Sequence, residues 1–181
     1  RLDDRGESMN LSVKASLLTI AISAVVAPAV SNAGIGQIIT SSAMAHCQAF
    51  TPGVTNTIRN RVVGSENIGA TMAIACAFEV EQATMTEDGV QAVWLTLNNH
   101  GATAFSVPCT LAVGPEGAFS YYINKTTIVE PSTPQQVTFS PEDAGSTDPG
   151  FKDWLVGLTC SMPKNAIMND TNVSYEVNAP A

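Results

Sequence analysis

The sequence predicts an all-β fold, an antiparallel β-sandwich of jelly-roll type stapled by disulfides. Period-two alternation of apolar and polar residues runs through most of the chain beyond residue 34, where helical periodicity is hard to find. Turn signals such as EDG, NNHG and DPG separate the alternating segments. Four cysteines complete the pattern.

The N-terminal segment reads as an export signal. Arg1 to Ser8 look like sequence upstream of a start at Met9, Lys14 supplies a basic region, and ASLLTIAISAVVAPAV an apolar one. That apolar run is about 16 residues and contains Pro28, whereas a membrane-spanning helix needs roughly 20. Ser31 and Ala33 occupy the small-residue positions before a cleavage point, so residues 9–33 form the expected signal peptide. The expected mature product is one domain, residues 34–181, secreted or periplasmic and without a membrane span. Of the 8 basic and 16 acidic residues, three of each precede Gly34, so the whole excess of eight negative charges falls in that domain. Arg59, Arg61, Lys125, Lys152 and Lys164 are scattered singly, which leaves no basic stripe for nucleic acid.

The alternation defines the strands. Between Ile68 and Val80 one face carries Ile68, Met72, Ile74, Cys76, Phe78 and Val80 against small residues on the other. From Gln91 to Leu97, Gln91, Val93, Leu95 and Leu97 oppose Ala92, Trp94 and Thr96, with the inward face open. Phe105, Val107, Cys109, Leu111 and Val113 share a side of the next segment, where Pro108 predicts an edge strand or a bulge. GPEG, Gly114 to Gly117, reads as a hairpin turn into AFSYYINKTTIVE. Short strands are expected around Val137 and Phe139, from Trp154 to Cys160, and through Val173, Tyr175 and Val177. HCQAF and TIRNRVVGS look like two more, for eight or nine in all. No internal repeat, heptad or low-complexity tract stands out, and Ser140 to Gly150 is the longest polar loop.

Cys47, Cys76, Cys109 and Cys160 are read as staples. An even number in an exported domain implies disulfides, and three of the four lie on the more apolar faces, where a thiol is inert. Four cysteines allow three pairings that sequence leaves open; pairing in chain order, Cys47–Cys76 and Cys109–Cys160, is the expectation. A zinc site lacks C-x-x-C pairs, and His46 and His100 are the only imidazoles.

HCQAF, MAIACAFEV, WLTLNNHGATAFSVPCTL and GLTCSMPKNAIMNDTNVSYEV together resemble the pattern of secreted four-cysteine β-sandwich proteins of Gram-negative bacteria. The resemblance spans nearly all of the expected mature chain and departs at Ala77, where a proline would follow the second cysteine. It implies a fold and an extracytoplasmic location, and carries no activity.

Three groups are candidates for chemistry. Glu79 and Glu81 would share a strand face and could form a glycosidase-like carboxylate pair, although charged strand ends usually serve solubility. Glu142, Asp143, Ser146 and Asp148 gather hard oxygen ligands in one loop and make calcium the one candidate cofactor. Trp94, Tyr121 and Tyr122 are the candidate ligand surface, since sugar faces stack on rings; the alternative is that Trp94 and one tyrosine fill the core. With no catalytic motif present, the first expectation is a non-catalytic surface or matrix protein that meets a protein or polysaccharide partner at the cell surface. A carbohydrate-binding module and a glycan-active hydrolase are the alternatives.

Overall fold

Alternating apolar faces become two antiparallel sheets packed over one core. The computed structural model describes residues 34–50, 57–62, 64–78, 80, 85–115, 117 and 120–178, all within a single unit, Asn32–Ala181. The strands are β1 Ile35–Ser42, β2 Cys47–Ala49, β3 Ile58–Arg61, β4 Gly64–Asn67, β5 Met72–Phe78, β6 Met85–Asn99, β7 Phe105–Val113, β8 Tyr121–Val129, β9 Gln135–Phe139, β10 Val156–Met162 and β11 Ala166–Val177. A short helix, α1 Ala43–His46, joins β1 to β2, and a 3-10 turn spans Pro141–Ala144. Sheet A runs β3-β4-β11-β6-β9 with β1 also on β11; sheet B runs β2-β5-β10-β7-β8. Strands β4 to β11 therefore fall into the orders β4-β11-β6-β9 and β5-β10-β7-β8, a jelly roll.

The expected count of eight or nine strands falls short because two strands lack an alternating apolar face. β1 is mostly exposed along its length, and β4, Gly-Ser-Glu-Asn, is wholly buried yet polar. Ile68 and Trp154 were expected within strands and lie outside them, 41% and 39% exposed.

The inner faces follow the larger apolar residues. Val93, Leu95 and Leu97 of β6 point inward. A register shift in the β6–β11 ladder then puts Val90, rather than Gln91, on the inner face. Both disulfides belong to the inner face of sheet B: Cys47–Cys76 joins β2 to β5 and Cys109–Cys160 joins β7 to β10. In each case the two cysteines are direct cross-strand partners with Cα atoms 4.0 Å apart, the close spacing of a pair without backbone hydrogen bonds. The Met168 sulfur of sheet A lies 3.6 Å from Cys47 Sγ and 3.4 Å from Cys76 Sγ, so this staple also meets the opposite sheet.

Pro108 is neither on an edge strand nor at a bulge. β7 lies between β10 and β8, and its pairing with β10 stops at Cys109. Since Cys109 directs its backbone groups away from β10, Pro108 directs its own toward β10 just past the end of that ladder, where no donor is required.

One end of the sandwich is closed by asparagines. Asn67 and Asn99 end β4 and β6 and are fully buried at 0% exposure. Asn67 Nδ2 donates to the Ala70 and Met162 carbonyls, both at 2.8 Å, while its Oδ1 accepts from Gly69 N. Asn99 Nδ2 donates to the Thr103 and Val129 carbonyls, both at 2.9 Å, while its Oδ1 accepts from Gly101 N. Each amide thus folds its own loop and reaches the end of a sheet B strand. Both sit at the start of the same five residues, N-x-G-A-T, at Asn67–Thr71 and Asn99–Thr103. The repeat is five residues long and has no periodicity beyond these two copies. Asn165, with φ 68°, links the two loops: its N–H donates to the Asn67 carbonyl and its carbonyl accepts from His100 N.

Two outcomes follow. Asn67→Ala or Asn99→Ala removes three hydrogen bonds and strands buried carbonyls, an expected loss of about 2–4 kcal/mol in urea unfolding. Reducing the disulfides, which close separations of 29 and 51 residues, is expected to cost about 3.5–4 kcal/mol each by chain entropy, read as a fall in melting temperature with reductant.

Candidate functional site

The outer face of sheet B is made of small side chains. Ala73, Ala75 and Ala77 of β5 alternate with its buried residues, and Gly157, Thr159 and Ser161 do the same on β10. The register aligns Ala75 with Thr159, Thr159 with Thr110 and Thr110 with Asn124; the next row aligns Ala77, Gly157, Ala112 and Tyr122. None of these side chains is charged. Large rings rise at the two margins. Phe50, just past β2, is 68% exposed, and Tyr122 of β8 is 65% exposed.

Between them lies an open groove of 550 Å³ whose lining includes Phe50, Ala75, Thr159, Ala112, Tyr122 and Leu155. From β2 to β8 is four strand spacings, so the groove spans ~19 Å across the sheet. Such a groove accepts an extended, uncharged chain: the small floor lets it approach the backbone, the rings offer apolar faces, and Thr110 and Thr159 offer hydroxyls.

The three rings read as one ligand surface are dispersed. Only Tyr122 lies in the groove. Tyr121 turns inward and packs edge-on against Phe151, with ring centroids 5.1 Å apart, because alternate residues of a strand face opposite ways. Trp94 stands on the outer face of sheet A, paired with Asn172 of β11 and Thr138 of β9. Phe50 stands two residues after Gln48 in HCQAF, so the alternation of β2 carried one residue on puts it on the outer face.

In the acidic loop Asp143 and Asp148 are engaged by lysines. Asp143 Oδ1 meets Lys125 Nζ at 2.6 Å, and its Oδ2 accepts from Ser140 N at 2.8 Å. Asp148 pairs with Lys152 at 3.4 Å, and Glu142 is exposed. Among the described residues no group of three His, Cys, Asp or Glu side chains could hold a metal ion. Lys125, from β8, also donates to the Thr138 carbonyl at 2.5 Å and lies 5.5 Å from the Phe139 ring centre, joining the sheets along one edge. Glu79 and Glu81 lie outside the described residues.

A charged cluster away from the groove had no signal in the alternation. Glu66 of β4 is 2% exposed, and its Oε2 accepts from Arg59 and Arg61 at 2.5–2.9 Å. His100 Nδ1 lies 3.5 Å from its Oε1. Burial pushes the Glu66 carboxyl up, but hydrogen bonds from Arg59 and Arg61 and their charges outweigh it and hold the group below its ordinary 4.5. The same balance, with Lys125 and Ser140 as partners, lowers Asp143 below 3.8.

No protein-family model matches the sequence, and a comparison with curated proteins finds no match. Solved structures do match. A xylan-binding module, CBM15, superposes with a TM-score of 0.50 at 12% identity, covering 80% of this chain and 99% of the module. It shares the fold. An exo-β-1,3-galactanase from Phanerochaete chrysosporium solved with galactose matches with a TM-score of 0.43 at 11% identity, over 77% of this chain and 29% of that one. At 12% identity the likeness to the module shows the fold alone, a β-sandwich, and nothing about a ligand.

Because the folded-state values of Glu66 and Asp143 are depressed, each contributes stability that is complete above its unfolded value and lost as pH falls through the folded one. Melting temperature is expected to fall on acidification from about pH 5 to pH 3. Glu66→Gln should start lower at pH 7, with two arginines left unpaired, and fall less steeply.

Proposed function

We propose that this chain is a non-catalytic, extracytoplasmic module that binds a neutral polysaccharide along the outer groove of sheet B. The observation that carries the proposal is the uncharged floor of small residues between Phe50 and Tyr122. Support comes from the fold shared with a xylan-binding module, and from two disulfides of a kind that persist outside the cytoplasm. No described helix is long and apolar enough to cross a membrane. Export by the segment before Gly34 belongs to the same proposal.

Recognition in such a groove rests on ring stacking and hydroxyl hydrogen bonds, with little electrostatic contribution. Native gel electrophoresis through soluble xylan, mixed-linkage β-glucan and galactan tests it. At least one of these neutral polymers is expected to retard the domain, and raising salt to 0.5 M should leave the retardation unchanged. Tyr122→Ala and Phe50→Ala should each weaken binding at this groove about tenfold or more, corresponding to a lost ring contact of roughly 1.4 kcal/mol. Retardation by acidic polymers alone, abolished by salt, would refute the proposal.

A second reading, association through protein contacts, has one observation in its favour. β1 carries Ile35 and Ile38 at 44% and 63% exposure and has no charged residue. A concentration-dependent shift on a sizing column, lost in Ile38→Lys, would favour it.

A further inference from the structure

The groove on sheet B leaves Trp94 unused. On the outer face of sheet A one row of cross-strand partners runs Thr40, Asn172, Trp94, Thr138 across β1, β11, β6 and β9. Exposed hydroxyls of Thr40 and Thr138 flank the half-buried indole of Trp94 and the Asn172 amide, which is itself buried at 4% exposure, and the row contains no charge. Thr40 Oγ1 donates to Asn172 Oδ1 at 2.6 Å, which holds the amide in place beside the indole. The neighbouring row, Ser42, Asp170, Thr96 and Gln136, has a single charged member, and Asp170 Oδ1 is already engaged by the Thr96 backbone N–H at 3.0 Å.

The same row ends in a depression. Thr40, Ser42, Val62, Asn169 and Asp170 are among the residues lining a hollow of 490 Å³ where β1 and β4 meet β11. Asn169 sits at the register break of β11, between Met168 and Asp170. A row of hydroxyls beside a ring, ending in a hollow lined by hydroxyl, amide and carboxylate side chains, matches a ligand that brings its own hydroxyl groups and an apolar face.

We infer that the outer face of sheet A is a second binding face for a neutral glycan, centred on Trp94 with Thr40 and Thr138 beside it, the buried Asn172 amide supporting Thr40 from below, and the Asn169 hollow at its end. This rests on the reading of the domain as a polysaccharide binder and goes beyond it in number of sites. The two faces lie on opposite sides of a sandwich whose sheets are ~10 Å apart, so one extended chain does not lie along both. Two faces make the domain a bridge between glycan chains. Its effect on a polymer is then cross-linking, a property that a single-groove module lacks.

The test compares wild type, Tyr122→Ala, Trp94→Ala and the double variant, using whichever of xylan, mixed-linkage β-glucan or galactan retards the wild type. Gel retardation reads binding, and turbidity or viscosity of the mixed solution reads bridging. Thr138→Arg is made alongside: it is exposed on the same row, so it obstructs the face without removing packing. Near-UV circular dichroism checks that each variant is folded.

The expected result is that each single variant still binds, that the double variant loses retardation at least tenfold relative to either, and that only the wild type bridges. Thr138→Arg should reproduce Trp94→Ala. If Tyr122→Ala alone removes all binding and the wild type never raises turbidity or viscosity, the second face is overturned while the groove reading stands. If no neutral polymer retards the wild type, both fall together.

Discussion

Cross-strand pairing of cysteines sets the register on which the outer face of sheet B depends. In a β-sheet a slip of one residue turns every side chain to the opposite face. Cys47–Cys76 and Cys109–Cys160 each require their two residues to stand opposite one another, so β2 on β5 and β7 on β10 have one permitted alignment apiece. With the sulfurs buried, the intervening residues must face out. Those are Gln48, Ala75, Thr110 and Thr159, and the uncharged floor follows from the same constraint that builds the core. The link between sheets is also at a staple, where Met168 reaches both sulfurs of Cys47–Cys76.

The second constraint is at the end of the sandwich, where the chain crosses between sheets. A crossing leaves backbone carbonyls at strand ends that neither ladder satisfies. Asn67 and Asn99 supply donors to two of them, at Met162 and Val129, while their side-chain oxygens turn the loop through Gly69 and Gly101. Asparagine suits both tasks because one amide carries an acceptor and two donors. Aspartate would turn the loop but would present carbonyls with another acceptor. Rigid crossings hold the sheets in fixed relation, which a site on either outer face requires.

Much of the fold was legible because apolar alternation reports burial directly. β5, β7, β9 and the second half of β11 show it plainly, and chain order matched the cysteine pairing. What stayed illegible was structure held by polar groups. β4 has no apolar side chain, and its buried Glu66 is recognisable only when Arg59 and Arg61 are seen across the hairpin. N-x-G-A-T is visible as text but has no periodicity to announce it. Among the candidate site residues, adjacency shows that only one of Tyr121 and Tyr122 can face outward, but not which one, nor that Trp94 belongs to the other sheet. For the acidic loop the sequence shows the carboxylates but not their partners: Asp143 meets Lys125 from β8, and Asp148 meets Lys152 four residues on.

Where the charges lie bears on what the domain can recognise. A formal net charge of −8 would ordinarily spread over the surface. Here Glu66 with its arginines sits at the β3–β4 margin, and Asp143 and Asp148 lie in the loop after β9 with Lys125 and Lys152. The central rows of both outer faces carry hydroxyls, amides, small side chains and rings. The overall negative charge repels polyanions at a distance, while a neutral face costs a neutral ligand no desolvation of unpaired charge. Discrimination then comes as much from exclusion as from attraction. On the proposed reading, acidic polymers are repelled before contact, and uncharged chains are held by contacts that ionic strength does not weaken.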